Sequence, residues 1–255
     1  MILNRRVALG GTQLDSLDSR IVIRSIDTGI PHESISAENR MSGWGQRVTG
    51  QHWETLEVAV TWAMDIPKKQ LATRRAVYEK VCKWALDRGW LTVNYLSGRR
   101  MYVDKVVLPS AGDLWQWTSE FTIIFRAYNV PFWQEATPTT GSGDSGTVLL
   151  EACGGNYQAP IDFTFENTGN ANIDSLTVSA GGRTVTFADL GLAPEAVLSF
   201  EHGTDGLLRI MIGETSAYGK RSGDDDLIIE PGDNYVTFES DGTGELTVSH
   251  YGRFI

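Results

Sequence analysis

The residues that could carry chemistry are few, and their spacing matches no familiar catalytic or metal-binding motif. The four histidines do not occur in HxH or HExxH spacing, and no GxSxG motif supplies an activated serine. Each histidine is predicted to be exposed or to lie at a strand edge: His32, His52, His202 and His250. No catalytic residue is identified, and the sequence predicts a protein that is not an enzyme.

The two cysteines and one acidic cluster have ordinary interpretations. Cys82 falls on the apolar side of a predicted helix, which favours a core thiol over a nucleophile, and with Cys153 it makes neither a disulfide scaffold nor a CxxC site. Asp224, Asp225 and Asp226 are adjacent, whereas a calcium loop places its ligands at alternate positions. A solvated loop is therefore predicted, with no metal and no cofactor.

Composition indicates a packed protein without a membrane segment. Of the 255 residues, 41% are hydrophobic and 21% are charged, which is enough apolar surface for a core. No apolar run approaches the ~20 residues that a membrane helix needs, and "MILNRRVALGG" is too short for a signal peptide. We therefore expect a soluble protein that is made in a cytosol and does not insert into membranes.

The charge changes sharply along the chain. Residues 1–133 hold 17 Lys and Arg against 13 Asp and Glu, a net charge of +4, whereas residues 134–255 hold 5 against 19, a net charge of −14. A step of this size predicts two domains with different surfaces. Neither half has a basic run with interleaved aromatic residues, so specific nucleic-acid binding is not expected.

Residues 1–133 have the pattern of an α+β domain. "TLEVAVTWAM" at 55–64 alternates with period two and predicts a long strand. One helix is predicted over about 67–88, with Asp65 as its cap and Gly89 after its last turn. Further strands are predicted at 20–26, 90–96, 100–108 and 114–128. This order predicts an antiparallel sheet or split barrel with one helix.

The second half reads as a linker followed by an all-β domain. "QEATPTTGSGDSGT" at 134–147 has no large apolar residue and is predicted to be a flexible linker. After it, eight short alternating strands separated by turn signals predict a β-sandwich over 148–255. One of these turns is Pro231-Gly232-Asp233-Asn234 in "LIIEPGDNYVTF".

The tryptophans point to an interface in the first half. All eight lie in the first 133 residues, and Trp44 and Trp53 fall in the polar stretch 38–53, of which residues 38–51 are predicted to be a loop or arm. Two interpretations remain open for them, an interface with another chain and local packing. Because Arg and Trp are the usual interface anchors, the predicted oligomer interface comprises Arg40, Trp44, Arg47 and Trp53.

This layout resembles that of the distal tail proteins of long-tailed, non-contractile phages and their prophage relatives. The first half matches in order: an arm, the strand "TLEVAVTW", the helix "RRAVYEKVCKWALDRG", a hairpin around "SGRRMYVDKV" and a strand ending in "FTIIFRAYNVPFW". The second half matches through "APIDFTFENTGNANIDSLTVSAGGRTVTF", "IIEPGDNYVTF" and "LTVSHYGRFI". The resemblance spans nearly the whole chain.

The resemblance implies a structural role at the tail tip of a virion. It implies a homo-hexameric ring built by the first domain, decorated by a galectin-like sandwich, that joins the tail tube protein to tip or receptor-binding proteins. Two alternatives from other classes are a carbohydrate-binding or adhesin-type module and a glycan-modifying enzyme. Because residues 134–255 contain no Trp, the sugar site of a galectin is not expected.

Overall fold

The computed structural model describes residues 5–39, 46–109 and 120–255. The chain divides into two compact units, residues 1–133 together with Ile255, and residues 134–254. They are called unit 1 and unit 2 below.

Unit 1 is built from antiparallel strands and a helix. Its strands are β1 (Val7–Leu9), β2 (Thr12–Gln13), β3 (Ile21–Thr28), β4 (Glu33–Asn39), β5 (Gln46–Trp53), β6 (Leu56–Met64), β7 (Trp90–Val93), β8 (Arg99–Tyr102), β9 (Lys105–Val107) and β10 (Glu120–Ala127), and α1 (Leu71–Leu86) follows β6. One sheet has the order β3-β6-β10-β9, another contains β2-β1-β7-β8, and β4 and β5 pair with each other as a separate two-stranded sheet. Strand β11 (Trp133–Glu135) spans the boundary in sequence.

Strand β6 is the centre of unit 1, as its alternation predicts. It pairs with β3 on one side and β10 on the other, and Val58, Val60 and Trp62 are fully buried. Helix α1 packs its aromatic residues against the same sheet, with the Trp84 ring 5.9 Å from the ring of Phe125 in edge-to-face contact. In the described part of unit 1, antiparallel strands and a helix are therefore observed, and the α+β class of this domain stays a prediction.

The helix begins later than predicted, and its buried face contains an arginine. Asp65 does not cap it, because residues 67–70 form a turn closed by the Gln70 amide on the Pro67 carbonyl, and Gln70 occupies the N-cap position. Leu71 is 40% exposed, while Arg74 is fully buried and donates a 2.8 Å hydrogen bond to the Ile66 carbonyl. The buried face consists of Arg74, Val77, Val81, Trp84 and Ala85.

Unit 2 is a sandwich of two antiparallel sheets. One sheet has the order β12-β23-β14-β17-β18-β19, with β21 also pairing with β14, and the other has the order β13-β22-β15-β16-β20. The strands are β12 (Thr139–Gly143), β13 (Thr147–Cys153), β14 (Ala159–Asn167), β15 (Leu176–Ala180), β16 (Arg183–Phe187), β17 (Val197–His202), β18 (Leu208–Ile212), β19 (Thr215–Ser216), β20 (Arg221–Gly223), β21 (Ile228–Ile229), β22 (Gly232–Ser240), β23 (Gly244–His250) and β24 (Arg253–Phe254).

Alternating apolar residues of the two sheets meet in one core. Phe163 stacks on Phe200 across neighbouring strands at 4.7 Å between ring centroids, and Phe163 also contacts Phe187 of the opposite sheet edge-to-face at 6.4 Å. All three rings are at most 1% exposed. The period-two pattern of the sequence thus becomes a sandwich interior, as predicted.

The flexible linker predicted over 134–147 is wrong. Residues 139–143 form β12, which pairs antiparallel with β23 from Thr139 opposite His250 to Gly143 opposite Leu246. A side chain at Gly141 would place its Cβ 2.6 Å from the Leu149 carbonyl. The small residues that suggest a flexible chain therefore permit an edge strand to lie close to β13.

The turn predicted at residues 231–234 is shorter than predicted, because only Pro231 lies at the bend and β22 begins at Gly232. Gly232 has a φ of +108°, and the side-chain amide of Asn234 donates hydrogen bonds to the backbone carbonyls of Glu230 and Gly232. The Asp233 carboxylate accepts a hydrogen bond from the Ala152 amide at 2.8 Å, which ties the turn to β13. The polar residues of this turn satisfy the backbone where β22 begins.

Candidate functional site

Strands β4 and β5 form an antiparallel hairpin that belongs to neither larger sheet of unit 1. The ladder runs from Glu33 opposite Trp53 to Asn39 opposite Gln46, with a bulge at Thr49. The prediction of a loop or arm over 38–51 therefore needs correction, since residues 46–51 belong to a paired strand. Its polar composition hides the strand, because neither face of the hairpin alternates strongly in hydrophobicity.

One face of this hairpin carries exposed apolar side chains. Ala37 lies opposite Val48 in the ladder, and Ile35 lies two residues before Ala37, so all three share a face. Ile35 is 58% exposed and Val48 is 57% exposed. A two-stranded hairpin is at best marginally stable in water without a second layer, so this face favours contact with another surface.

Two of the four predicted interface residues, Arg40 and Trp44, lie outside the described residues. Arg47 lies in β5 opposite Glu38, and only its backbone is described. Trp53 is the last residue of β5 and is half-buried, with its ring 4.9 Å from that of Phe132 in edge-to-face geometry. This contact supports the interpretation of local packing for Trp53, and its place in an oligomer interface stays a prediction.

A groove of about 730 Å³ lies at the base of the hairpin. Its lining combines apolar, aromatic and ionisable side chains: Gly29, Ile30, His32, His52, Trp53, Glu54, Thr55 and Glu57. His32 contacts Glu54 at 2.8 Å, and Ile30 is 74% exposed.

Gly29 sets one wall of this groove. Its amide donates a 2.9 Å hydrogen bond to the Glu57 carbonyl, and a Cβ at this position would lie 2.5 Å from the same oxygen. The chain can approach β6 this closely only with glycine. The groove therefore depends on backbone geometry as well as on its side chains.

A second candidate cluster lies in unit 2 around His202. The Nδ1 atom of His202 is 2.7 Å from Asp162 Oδ1, and its Nε2 atom is 2.9 Å from Asp226 Oδ1. The His202 side chain is 14% exposed, so the prediction of an exposed or strand-edge histidine is wrong here. Residues 162, 202 and 226 are far apart in sequence, and no spacing motif could have found them.

The environment of His202 favours its charged form. Burial opposes the charge, but hydrogen bonds to Asp162 and Asp226 outweigh it and raise the pKa of His202 to about 9. The hydrogen bond from His202 in turn lowers the pKa of Asp226. Since both ring nitrogens face carboxylates, neither can accept a proton from a hydroxyl or thiol, so this is not the geometry of a catalytic triad.

His250 is the second histidine that differs from its prediction. It lies on β23, is 1% exposed, and neither ring nitrogen has a hydrogen-bond partner among the described residues. Burial, assisted by the nearby Arg253, lowers the pKa of His250 to about 4. His250 is therefore neutral in the folded protein at neutral pH.

The three adjacent aspartates each have a separate partner. Asp224 accepts a hydrogen bond from the Thr184 amide at 2.7 Å, Asp225 contacts Arg221 at 2.5 Å, and Asp226 contacts His202. Within residues 5–39, 46–109 and 120–255, no group of three or more His, Cys, Asp or Glu side chains could hold a metal ion. In the same residues, no helix is both long and apolar enough to span a membrane.

No protein-family model and no curated protein matches the chain. Among solved structures, the crystal structure of SPP1 Dit, described as a paradigm of the hub adsorption apparatus in phages that infect Gram-positive bacteria, matches with a TM-score of 0.68 at 9% identity, over 97% of this chain and 98% of that one. Two structures of the activated phage P2 baseplate, with Ca and with Sr, match at TM-scores of 0.48 and 0.44 and 8% identity. The match to the structure with Ca covers 99% of this chain and 100% of that one, and the match to the structure with Sr covers 98% and 99%. The chain therefore has the fold of SPP1 Dit over nearly its whole length, which confirms, at the level of fold, the resemblance inferred from the sequence.

Proposed function

We propose that this protein is a structural subunit of a phage tail tip. In this proposal, copies of the chain form a homo-hexameric ring that connects the tail tube to tip and receptor-binding proteins. Unit 1 builds the ring, and unit 2, as a galectin-like sandwich, decorates it. The protein is made in the cytoplasm of the bacterial host, acts in the virion, and has no enzymatic activity.

The observation that carries this proposal is the Dit-like fold together with the β4–β5 hairpin. The fold match extends over 97% of the chain, so it includes the hairpin region as well as both units. At ~3.3 Å per residue, the eight residues of β5 extend about 26 Å, which is long enough to reach an adjacent subunit. The exposed Ile35 and Val48 provide the apolar contact that such an arm needs.

The groove at the hairpin base offers a surface for the neighbouring copy. Exposed Ile30 and half-buried Trp53 provide apolar area, and Glu54 and Glu57 provide negative charge. Arg40 and Arg47 lie in the opposite, distal part of the hairpin sequence. Contact between these unlike patches is heterologous, and heterologous contacts close into rings.

The direct test is the mass in solution. Light scattering of the 28.1 kDa chain is expected to give about six times that mass, either alone or after mixing with its tail tube protein. Ile35→Asp should abolish the assembly while the melting temperature is unchanged, because an interface anchor contributes ~2 kcal/mol or more. Leu207→Asp is the matched control, since Leu207 is 64% exposed in a turn of unit 2.

A chain that stays monomeric both alone and after mixing with its tail tube protein would contradict the proposed ring. If Ile35→Asp assembles as fully as Leu207→Asp and wild type, the ring stands but the hairpin is not part of its interface.

A second candidate function is carbohydrate binding by unit 2. Tyr235 is 66% exposed and lies directly opposite Leu149, which is 39% exposed, on the outer face of the β13–β22 pair. Thr147 and Thr237 continue this face with hydroxyl groups. An exposed Tyr beside hydroxyls suits a sugar ring, since it offers an apolar face and a polar tip. Saturable glycan binding by wild type that is lost in Tyr235→Ala would favour this adhesin-type function.

A further inference from the structure

Residues 224–229 of unit 2, called the crossover below, connect the two sheets of the sandwich. They follow β20, which pairs with β16 in one sheet, and they end in β21, which pairs with β14 of the other sheet. Leu227 and Ile229 in the crossover are at most 1% exposed. This short segment therefore closes one side of the apolar core.

Backbone hydrogen bonds hold the two ends of the crossover. The Asp224 amide donates to the Thr184 carbonyl at 2.9 Å, and the Leu227 carbonyl accepts from the Ile161 amide at 2.9 Å. The side chain of Asp226 lies between these ends and contacts His202 on β17. The middle of the crossover is thus fixed by an ionisable contact.

Elementary hydrogen-bond chemistry sets the protonation state of this contact. A neutral imidazole has one N–H, so it can donate to only one partner, whereas the imidazolium donates from both nitrogens. Both nitrogens of His202 lie within 2.9 Å of a carboxylate oxygen. On loss of a proton, one nitrogen lone pair would face a carboxylate, and that contact would become repulsive.

The other charged groups around His202 come from four further elements. Asp162 on β14 also accepts the His202 backbone amide at 2.9 Å, and the Arg183 guanidinium on β16 lies 3.5 Å from the Asp226 carbonyl oxygen. Arg183 and Arg253 contribute to the lowered pKa of Asp226, and His250 on β23 is neutral at neutral pH. Asp162 and Asp226 therefore supply the negative charge that pairs with His202.

We propose that His202 is a proton-operated latch on the crossover. The latch is closed while the imidazolium bridges Asp162 and Asp226, and it opens when the ring loses its proton. Opening frees Asp226 and weakens the adjacent hydrogen bond from the Ile161 amide to the Leu227 carbonyl, while Asp224 stays hydrogen-bonded to Thr184 and β21 stays paired with β14. The latch lies wholly within unit 2 and does not depend on ring formation.

The pH range of the latch follows from the folded-state pKa values. Because the pKa of His202 is raised to about 9, the latch is closed at neutral pH and opens as the pH rises through that value. At the acid end, the pKa of Asp226 is lowered, so the carboxylate keeps its charge until the pH falls below its ordinary range. The latch therefore has an alkaline and an acid limit.

Two measurements on the full chain test the latch. In NMR, the His202 ring should titrate near pH 9, and Asp226→Asn should lower that midpoint by about one unit or more, since it removes one of two opposite charges. Hydrogen exchange of the Ile161 amide, which donates to the Leu227 carbonyl, should be slow at pH 7 and fast above pH 9 after correction for intrinsic rates. In His202→Gln and Asp226→Asn, exchange should be fast at both pH values.

Asp225→Asn is the matched control, because this neighbouring carboxylate contacts Arg221 instead of His202. It should leave both the His202 titration and the exchange of the Ile161 amide unchanged. If His202→Gln does not fold, Asp226→Asn carries the test, since the Asp226 side chain is 42% exposed and its loss creates no cavity. A His202 midpoint near 6.5, or exchange in Asp226→Asn equal to wild type at pH 7, would overturn the latch.

Discussion

Two hairpins in this chain have opposite relations to the protein interior. The β15–β16 hairpin of unit 2 buries Leu176, Val178, Val185 and Phe187 completely, because a second sheet covers its inner face. The β4–β5 hairpin of unit 1 leaves Ile35 and Val48 more than half exposed. Both are antiparallel ladders, so local pairing does not distinguish them. The difference supports the proposed role of the β4–β5 hairpin as an interface arm.

The largest expected effect comes from removing one buried ring of the β15–β16 hairpin. Phe187→Ala should lower the free energy of unfolding of unit 2 by ~3–5 kcal/mol, through lost burial and an unfilled cavity. The matched change in the other hairpin, Val48→Ala, should cost less than ~0.5 kcal/mol in the monomer. Urea denaturation measures both. A comparable cost for Val48→Ala would show that its side chain is buried within the monomer and would end the comparison.

The next effect concerns His250, which shows how fully unit 2 buries even a titratable group. The folded-state pKa of His250, about 4, lies below its ordinary value of 6.5. Its contribution to the free energy of unfolding is therefore complete above pH 6.5 and is lost as the pH falls toward 4. The expected loss is on the order of 3 kcal/mol. His250→Leu should remove this slope while keeping stability at pH 7 within ~1.5 kcal/mol. Denaturation at a series of pH values measures how the free energy of unfolding depends on pH. If His250→Leu shows the same pH dependence as wild type, His250 is not its cause.

A smaller effect is expected where the β4–β5 hairpin joins the body of unit 1. Trp53 is half-buried against Phe132, so Trp53→Ala should cost roughly 2 kcal/mol in monomer stability, below the ~3–5 kcal/mol of a fully buried ring. It should also weaken the proposed assembly. Thermal melts and light scattering on the same sample separate the two effects. If only stability changes, Trp53 is a packing residue and the interface lies further along the hairpin.

The smallest effect tests the turn of the β15–β16 hairpin. Gly182 has a φ of +78° and open space around it, so Gly182→Ala should cost about 1 kcal/mol through backbone strain alone. At Gly181 a Cβ would also lie 1.9 Å from the Ile228 carbonyl oxygen, so Gly181→Ala should cost clearly more. Unfolding free energies of the two variants give the comparison. The reverse order would indicate that the chain near Ile228 adjusts freely.

Sequence patterns predict the parts of this fold that obey a simple period. Strand β6 is predicted at 55–64 and observed at Leu56–Met64, because its alternation reflects burial on one face. The predicted strand at 100–108 is instead two strands, β8 and β9. The burial of Arg74 is invisible to periodicity, since it depends on a carbonyl acceptor at Ile66. The β12 strand escapes prediction because small residues suit both a linker and a tightly packed edge.

The candidate sites are harder to predict from the sequence than the strands are. The stretch 38–53 attracts attention because it contains tryptophans and arginines, and residue type can be read directly from the sequence. The latch does not, because His202 meets Asp162 and Asp226 only after three elements come together. The only local hint is Asp162, a charged residue inside the otherwise apolar run "PIDFTF". Tertiary contacts between residues of ordinary type leave no signal in a single sequence.

The position of β23 also sets the order in which the chain can fold during synthesis. Strand β23 lies between β12 and β14 in its sheet, although in the chain it follows β12 by about a hundred residues and β14 by about eighty. The sheet β3-β6-β10-β9 needs only residues up to 127, so this sheet can form while the ribosome still translates unit 2. Until residue 250 emerges, β14 has an open edge that can pair with neighbouring nascent chains. We therefore expect the second half of the chain to be the part that depends on chaperones.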